Sequence, residues 1–116
     1  MIGFEQLEVW QDSCRLAVEI YQILRKCNDY GLRDQMQRAA VSIPSNIAEG
    51  SERQSKREFV QFLHIAKGSC AELRTQLYIA ARIGMIDNGV CSGLTAHCKS
   101  LSRQLQALIS SIQPEK

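Results

Sequence analysis

A proline at position 44 stands inside a pattern that is otherwise helical, and it constrains the fold more than any other residue. Met36, Ala39, Ala40, Ile43 and Ile47 recur at three- and four-residue steps and so share one helical face. Pro44 lacks the N–H that the Ala40 carbonyl would accept from, and its ring crowds that carbonyl, so a bend is expected there. Ser42 and Ser45 can bring hydroxyls to the freed carbonyl, and Asn46 and Glu49 stand one turn apart, so a polar patch travels with the bend. After Gly50 and Ser51 loosen the chain, Ser55-Lys56-Arg57-Glu58 has capping-box spacing. The serine oxygen would accept an N–H of the first turn while Glu58 reaches back to the serine's own N–H. A helix with an internal proline thus leads directly into a freshly capped one.

The apolar periodicity elsewhere completes a set of four helices, at about 5–27, 32–50, 55–83 and 87–112, within a single domain spanning 1–116. Helix one offers two stripes. Leu7, Trp10, Cys14, Ala17, Tyr21 and Leu24 step by three and four, as suits shallow-angle bundle packing. Val9, Leu16, Ile20, Ile23 and Cys27 run beside them, making the apolar arc wider than one seam needs. Either the bundle envelops this helix on two sides or the excess meets another copy of the chain, and on the second reading Val9, Leu16, Ile20 and Ile23 are the expected contact between copies. Asn28-Asp29-Tyr30-Gly31 is a compact turn that makes helices one and two antiparallel neighbours.

Helix three carries the longest regular stripe, Phe59, Leu63, Ala66, Cys70, Leu73, Leu77 and Ala80. Antiparallel pairing with helix two sets Ala39 and Ala40 against Gly68 and Ser69, Arg38 near Glu72, and Glu49 near Arg57 or Glu58. Arg38, Ser42, Pro44, Asn46, Glu49 and Glu72 are read as one structural polar patch closed by ion pairs. Gly84 suits the residue after a helix end, with Met85 and Ile86 folding back. Asp87 is the expected N-cap of helix four, whose stripe is Val90, Leu94, His97 or Cys98, Leu101, Leu105, Leu108 and Ile112, and Gln113 to Lys116 form a frayed tail. The fold class is all-α, an antiparallel up-down four-helix bundle with helix two bent at Pro44, assembling as a ring-like homo-oligomer.

Charge and composition narrow the function. The formal charge of +2 hides an asymmetry: residues 1–52 hold five basic and eight acidic side chains, and residues 53–116 hold nine basic and four acidic. Such a division marks either a nucleic-acid surface or two halves that attract each other. On helix three, Lys56, Lys67 and Arg74 fall within about 20° of one another beside the core stripe, and Arg53 and Arg57 extend the cluster. These five are the candidate nucleic-acid-binding residues. Repeated around a ring they would form a belt that engages phosphates without reading sequence.

No apolar run approaches the ~20 residues of a membrane span, and the first residues lack a signal-peptide pattern, so the expected address is the cytoplasm, with no membrane partner. Five cysteines without a CxxC pair argue against a disulfide framework. Cys91, Cys98 and His97 share a region of helix four, but their spacing is looser than metal sites normally use. Neither His64 nor His97 has a visible nucleophile and orienting partner, and no phosphate loop or nucleotide fingerprint occurs. No catalytic, cofactor or metal residue is assigned, and a non-enzymatic protein is expected.

Three motifs point to a known family: Leu7-x-Val9-Trp10, then Arg38-Ala39-Ala40-x-Ser42-Ile43-x-x-Asn46-Ile47-Ala48-Glu49-Gly50, then Phe62-Leu63-x-Ile65-Ala66-x-Gly68-Ser69-x-x-Glu72-Leu73. In this order they resemble the bacterial four-helix bundle proteins encoded in intervening sequences of large-subunit ribosomal RNA genes. The resemblance implies a ring-like homopentamer. It also implies likeness to the accessory variability proteins of diversity-generating retroelements, which associate with nucleic acid and with a reverse transcriptase. The expected function is a homo-oligomeric, pentameric scaffold that binds RNA or DNA independently of sequence, beside a nucleic-acid enzyme such as a reverse transcriptase. The alternative is a protein-binding adaptor without nucleic-acid contact.

Overall fold

Three of the four helices begin where a side-chain oxygen meets their unpaired first-turn N–H groups. In the computed structural model, which describes residues 3–112, a 3₁₀ turn at Phe4–Gln6 precedes α1 (Glu8–Ile23), α2 (Tyr30–Ser51), α3 (Lys56–Arg82) and α4 (Asn88–Ile112). Asp29 accepts from the Leu32 N–H at 3.1 Å, Ser55 from the Glu58 N–H at 3.1 Å, and Asp87 from the Gly89 and Val90 N–H groups at 2.9 and 3.2 Å. The Asp29 cap starts α2 at Tyr30, two residues ahead of the expected Leu32. At Ser55 the box is half-formed, because the Glu58 carboxylate accepts from the serine hydroxyl at 3.2 Å. α1 has no side-chain cap. Its start is held by the preceding turn, where the Gln11 amide donates to the Glu5 carbonyl at 2.8 Å and Phe4 packs edge-on against Trp10 at 5.3 Å.

The helix ends follow the same accounting. α1 stops at Ile23, short of the expected Cys27, and its last residues tighten into a turn in which the Cys27 N–H donates to the Leu24 carbonyl at 3.0 Å. α3 closes as expected on Gly84, whose φ of +78° lies in the left-handed region. The Met85 N–H donates to Ala80 at 2.8 Å and the Gly84 N–H to Ala81 at 3.1 Å, and Ile86 is buried behind them. The tail expected at Gln113 to Lys116 lies outside the described residues.

The neighbouring pairs are α1 with α2, α2 with α3, α3 with α4 and α4 with α1, so each helix packs on the next and the last closes on the first. Among the described residues there is no strand. Leu63, Ala66, Cys70, Leu73, Leu77 and Ala80 of α3 are fully or almost fully buried, as the stripe predicts, and Leu94, Cys98, Leu101, Leu105 and Ile109 of α4 meet them. α2 runs unbroken through Pro44, which is itself buried. Ser42 donates to the Ala39 carbonyl at 2.8 Å and Asn46 to the Ser42 carbonyl at 2.7 Å. The bonded carbonyls thus flank the Ala40 carbonyl that the proline frees, and the exposed Ser45 takes no part.

Helix one corrects the expectation. Leu16 and Ile20 are 0% exposed and Val9 is 6% exposed, all within the protomer's own core, and Ile23 packs partly buried against it. The four residues expected between copies are therefore occupied within one copy, while Tyr21, expected in the core, is 47% exposed. The buried face is turned about 80° from the expected stripe. The sequence pattern hides that face because of Ser13, fully buried at its middle, whose hydroxyl donates to the Trp10 carbonyl at 2.8 Å. A satisfied serine costs little inside, but in the sequence it interrupts the true apolar stripe and leaves the neighbouring one more regular.

The expected contact of Ala39 and Ala40 with Gly68 is also displaced. A Cβ added at Gly68 would meet nothing within 4 Å, whereas one at Gly50 would stand 2.6 Å from the Phe62 Cβ. The tight crossing of α2 and α3 therefore lies one end further on, at the final turn of α2. Partner numbers on α3 fall as those on α2 rise, from Ser42 with Ser69 to Gly50 with Phe59 and Phe62.

Candidate nucleic-acid interface

Steps of 11 and 7 residues along α3 bring Lys56, Lys67 and Arg74 to one flank, and the fold turns that flank toward α4. Lys56 and Arg57 border a groove with Val60 and Ile112 at one end of the seam. Midway, the Lys67 ammonium donates to the Gln106 side-chain oxygen at 2.6 Å. At the far end Arg74 shares a groove of about 440 Å³ with Thr75, Tyr78, Cys91, Thr95 and Lys99. Among the described residues α4 supplies Lys99 and Arg103 and no acidic side chain, so the seam is positive from both walls. The Arg74 Nε is buried and has no hydrogen-bond partner.

Arg53 does not join this seam. It pairs with Glu49 at 3.1 Å and lies over the Phe62 ring at 4.9 Å, on the α2 side of α3. That pair also removes Glu49 from its expected partners Arg57 and Glu58. Lys99 and Arg103 are the cations of α4 that reading the sequence missed. Their signal was present, since Lys99, Arg103 and Gln106 fall within about 60° on α4, but which face of α4 meets α3 is a tertiary fact.

The polar patch assembles at the α2–α3 seam without its ion pairs. The Ser42 and Ser69 hydroxyls meet at 2.6 Å, and Gln35, Arg38, Asn46, Ile65 and Glu72 surround them in a groove of about 330 Å³. Arg38 and Glu72 share the groove's rim yet form no ion pair among the described residues. Exposed Tyr21 and Val41 continue this surface on the other side of Arg38.

A second polar cluster, with no counterpart among the sequence motifs, ties α1 to α4. Asp12 meets His97 Nε2 at 3.0 Å and accepts from Gln104 at 3.0 Å and from Arg15 at 3.2 Å, with Glu19 4.0 Å from the other histidine nitrogen. Burial by itself would raise the Asp12 pKa. The hydrogen bonds from Gln104 and His97, the histidine charge and Arg15 outweigh it and hold the carboxyl below its ordinary value. The nearby Ser100 hydroxyl accepts from Gln104 at 3.2 Å, so the cluster reads as a clasp between helices.

Among the described residues no group of three or more His, Cys, Asp or Glu side chains is placed to hold a metal, so Cys91, Cys98 and His97 do not converge. Burial pushes the Cys98 thiol up to about 12, with Cys70 adding to it, and the Cys70 thiol up to about 11. Both are packing residues. Among the described residues no helix is long and apolar enough to cross a membrane.

A sequence model of the family described as 23S rRNA-intervening sequence protein matches residues 5–107. Among solved structures the chain is similar to a crystal structure of a protein of unknown function from the S23 ribosomal protein family of Bacteroides thetaiotaomicron VPI-5482. The two share 25% identity at a TM-score of 0.78, over 87% of this chain and 97% of that one. No curated protein matches.

Proposed function

Because the chain belongs to the 23S rRNA-intervening sequence protein family, we propose that it is a non-enzymatic scaffold that binds RNA or DNA, independently of sequence, along the α3–α4 seam. The observation that carries this reading is the row of Lys56, Lys67 and Arg74 along the α4-facing flank of α3, joined at its far end by Lys99 of α4, with no acidic side chain on α4 among the described residues. Such a row contacts phosphates, which every sequence presents alike. Titration of labelled RNA at rising salt tests it. Binding weakens with salt, and replacing Arg74 and Lys99 with alanine lowers the salt slope by about 0.7 for each single-strand phosphate that the variant no longer neutralises. No binding at low salt refutes the reading.

The bundle is antiparallel and up-down, as the falling partner numbers across α2 and α3 support, with a bend at Pro44, where Ala40 lacks its donor. Copies assemble as a ring-like homopentamer. Val9, Leu16 and Ile20 are used up inside the protomer, so the contacts between copies fall on other apolar side chains, of which Tyr21, Val41 and Ile65 are exposed around one surface. Mass measurement in solution tests the assembly, and a reverse transcriptase is a partner to seek by co-purification. The same apolar surface favours the second reading, a protein-binding adaptor, which predicts protein partners whose binding is indifferent to salt and nucleic acid.

A further inference from the structure

The groove around Arg74 differs from the rest of the seam in having an aromatic ring on its wall. Tyr78 is 60% exposed and lines the groove with Arg74, Thr75, Thr95 and Lys99. Arg82 holds the ring from one side, with its guanidinium carbon 5.5 Å from the ring centre and a hydrogen bond of 2.9 Å to the phenol oxygen. That contact leaves ring surface open. Beside it stand the Arg74 and Lys99 cations and the Thr95 hydroxyl, donors suited to one phosphate.

We propose that this groove seats a nucleotide of single-stranded nucleic acid, with its phosphate on Arg74 and Lys99 and its unpaired base against Tyr78. The inference rests on the nucleic-acid reading of the seam and adds strand selectivity to it. A duplex offers the same phosphates but keeps its base faces stacked internally, so only a single strand can use the ring. The groove volume of about 440 Å³ lies in the range of small-ligand sites.

The test compares an unstructured RNA strand with its blunt duplex, both fluorescein-labelled, against the parent chain, Tyr78→Ala, Tyr78→Phe and Arg74→Ala/Lys99→Ala. The ring is exposed, so Tyr78→Ala folds, as circular dichroism will verify. Tyr78→Ala is expected to weaken single-strand binding by about fivefold to a hundredfold, without changing its salt slope or the duplex affinity, and Tyr78→Phe to restore it. The double variant is expected to weaken both ligands and lower the salt slope. Equal loss on both ligands, or parental single-strand binding by Tyr78→Ala, overturns the inference while leaving phosphate binding along the seam intact. Absence of binding to either ligand at low salt overturns both.

Discussion

Gly50→Ala is expected to destabilise the protein although alanine is the better helix former. Exchanging a mid-helix glycine for alanine stabilises by roughly 0.5–1 kcal/mol through backbone entropy. At Gly50 the new Cβ would stand 2.6 Å from the Phe62 Cβ, 3.0 Å from the Phe59 ring and 3.3 Å from the Phe59 carbonyl. Side-chain rotation cannot relieve the first contact, because a Cβ is fixed to its backbone, so α2 and α3 must move apart. Overpacking of this kind costs about 1–3 kcal/mol. Gly50 lies in the final turn of α2, where the propensity gain is at most its mid-helix value and offsets only part of that cost, leaving a net loss of up to about 2.5 kcal/mol and a melting point lower by up to about 10 °C. Gly68→Ala is the opposing control. A Cβ there meets nothing within 4 Å, so the entropy term acts alone and the melting point is expected to rise by about 2–5 °C. Thermal and urea unfolding followed by circular dichroism reads both. Phe62→Ala keeps the offending Cβ, so it is expected not to rescue Gly50→Ala. A Gly50→Ala protein that melts at or above the parent refutes the tight-crossing account, as does rescue by Phe62→Ala.

The Asp12 clasp makes stability depend on pH. Its carboxyl is held below the ordinary 3.8, so its contribution is complete well above that value and is lost as pH falls through the lower, folded-state value. Asp12→Asn is expected to lose about 1.5–3 kcal/mol near neutrality, with the gap from the parent closing in acid; a gap independent of pH in urea unfolding would exclude the charge as its cause. Gly84→Ala places a side chain at a φ of +78° and is expected to cost about 1–2 kcal/mol by thermal unfolding, although a Cβ there has open space. Cys70 and Cys98, buried with thiols near 11 and 12, are expected to resist alkylation in the native protein at mildly alkaline pH and to react once it is unfolded; mass spectrometry of labelled peptides reads this directly.

Local chemistry determined much of this molecule. The Ser55 cap, Gly84 with its fold-back and Asp87 were legible because each acts within a few residues of itself, through an available oxygen or a tolerated φ. The α3 stripe was legible for a related reason, since only one of its faces is continuously apolar. Tertiary packing decided the rest. On α1 two adjacent apolar stripes were both acceptable locally, and the choice went to the one containing Ser13, which satisfies itself on its own helix turn. Lys99 and the link from Asp12 to His97 and Gln104 depend on how α4 is rotated against its neighbours, and a side chain's position along the chain does not specify that. The cations of the seam were each visible as charges, but the meeting of Arg74 with Lys99 exists only because α3 and α4 press their basic flanks together. Periodicity says which side of a helix is buried, and only packing between helices says what stands beside it.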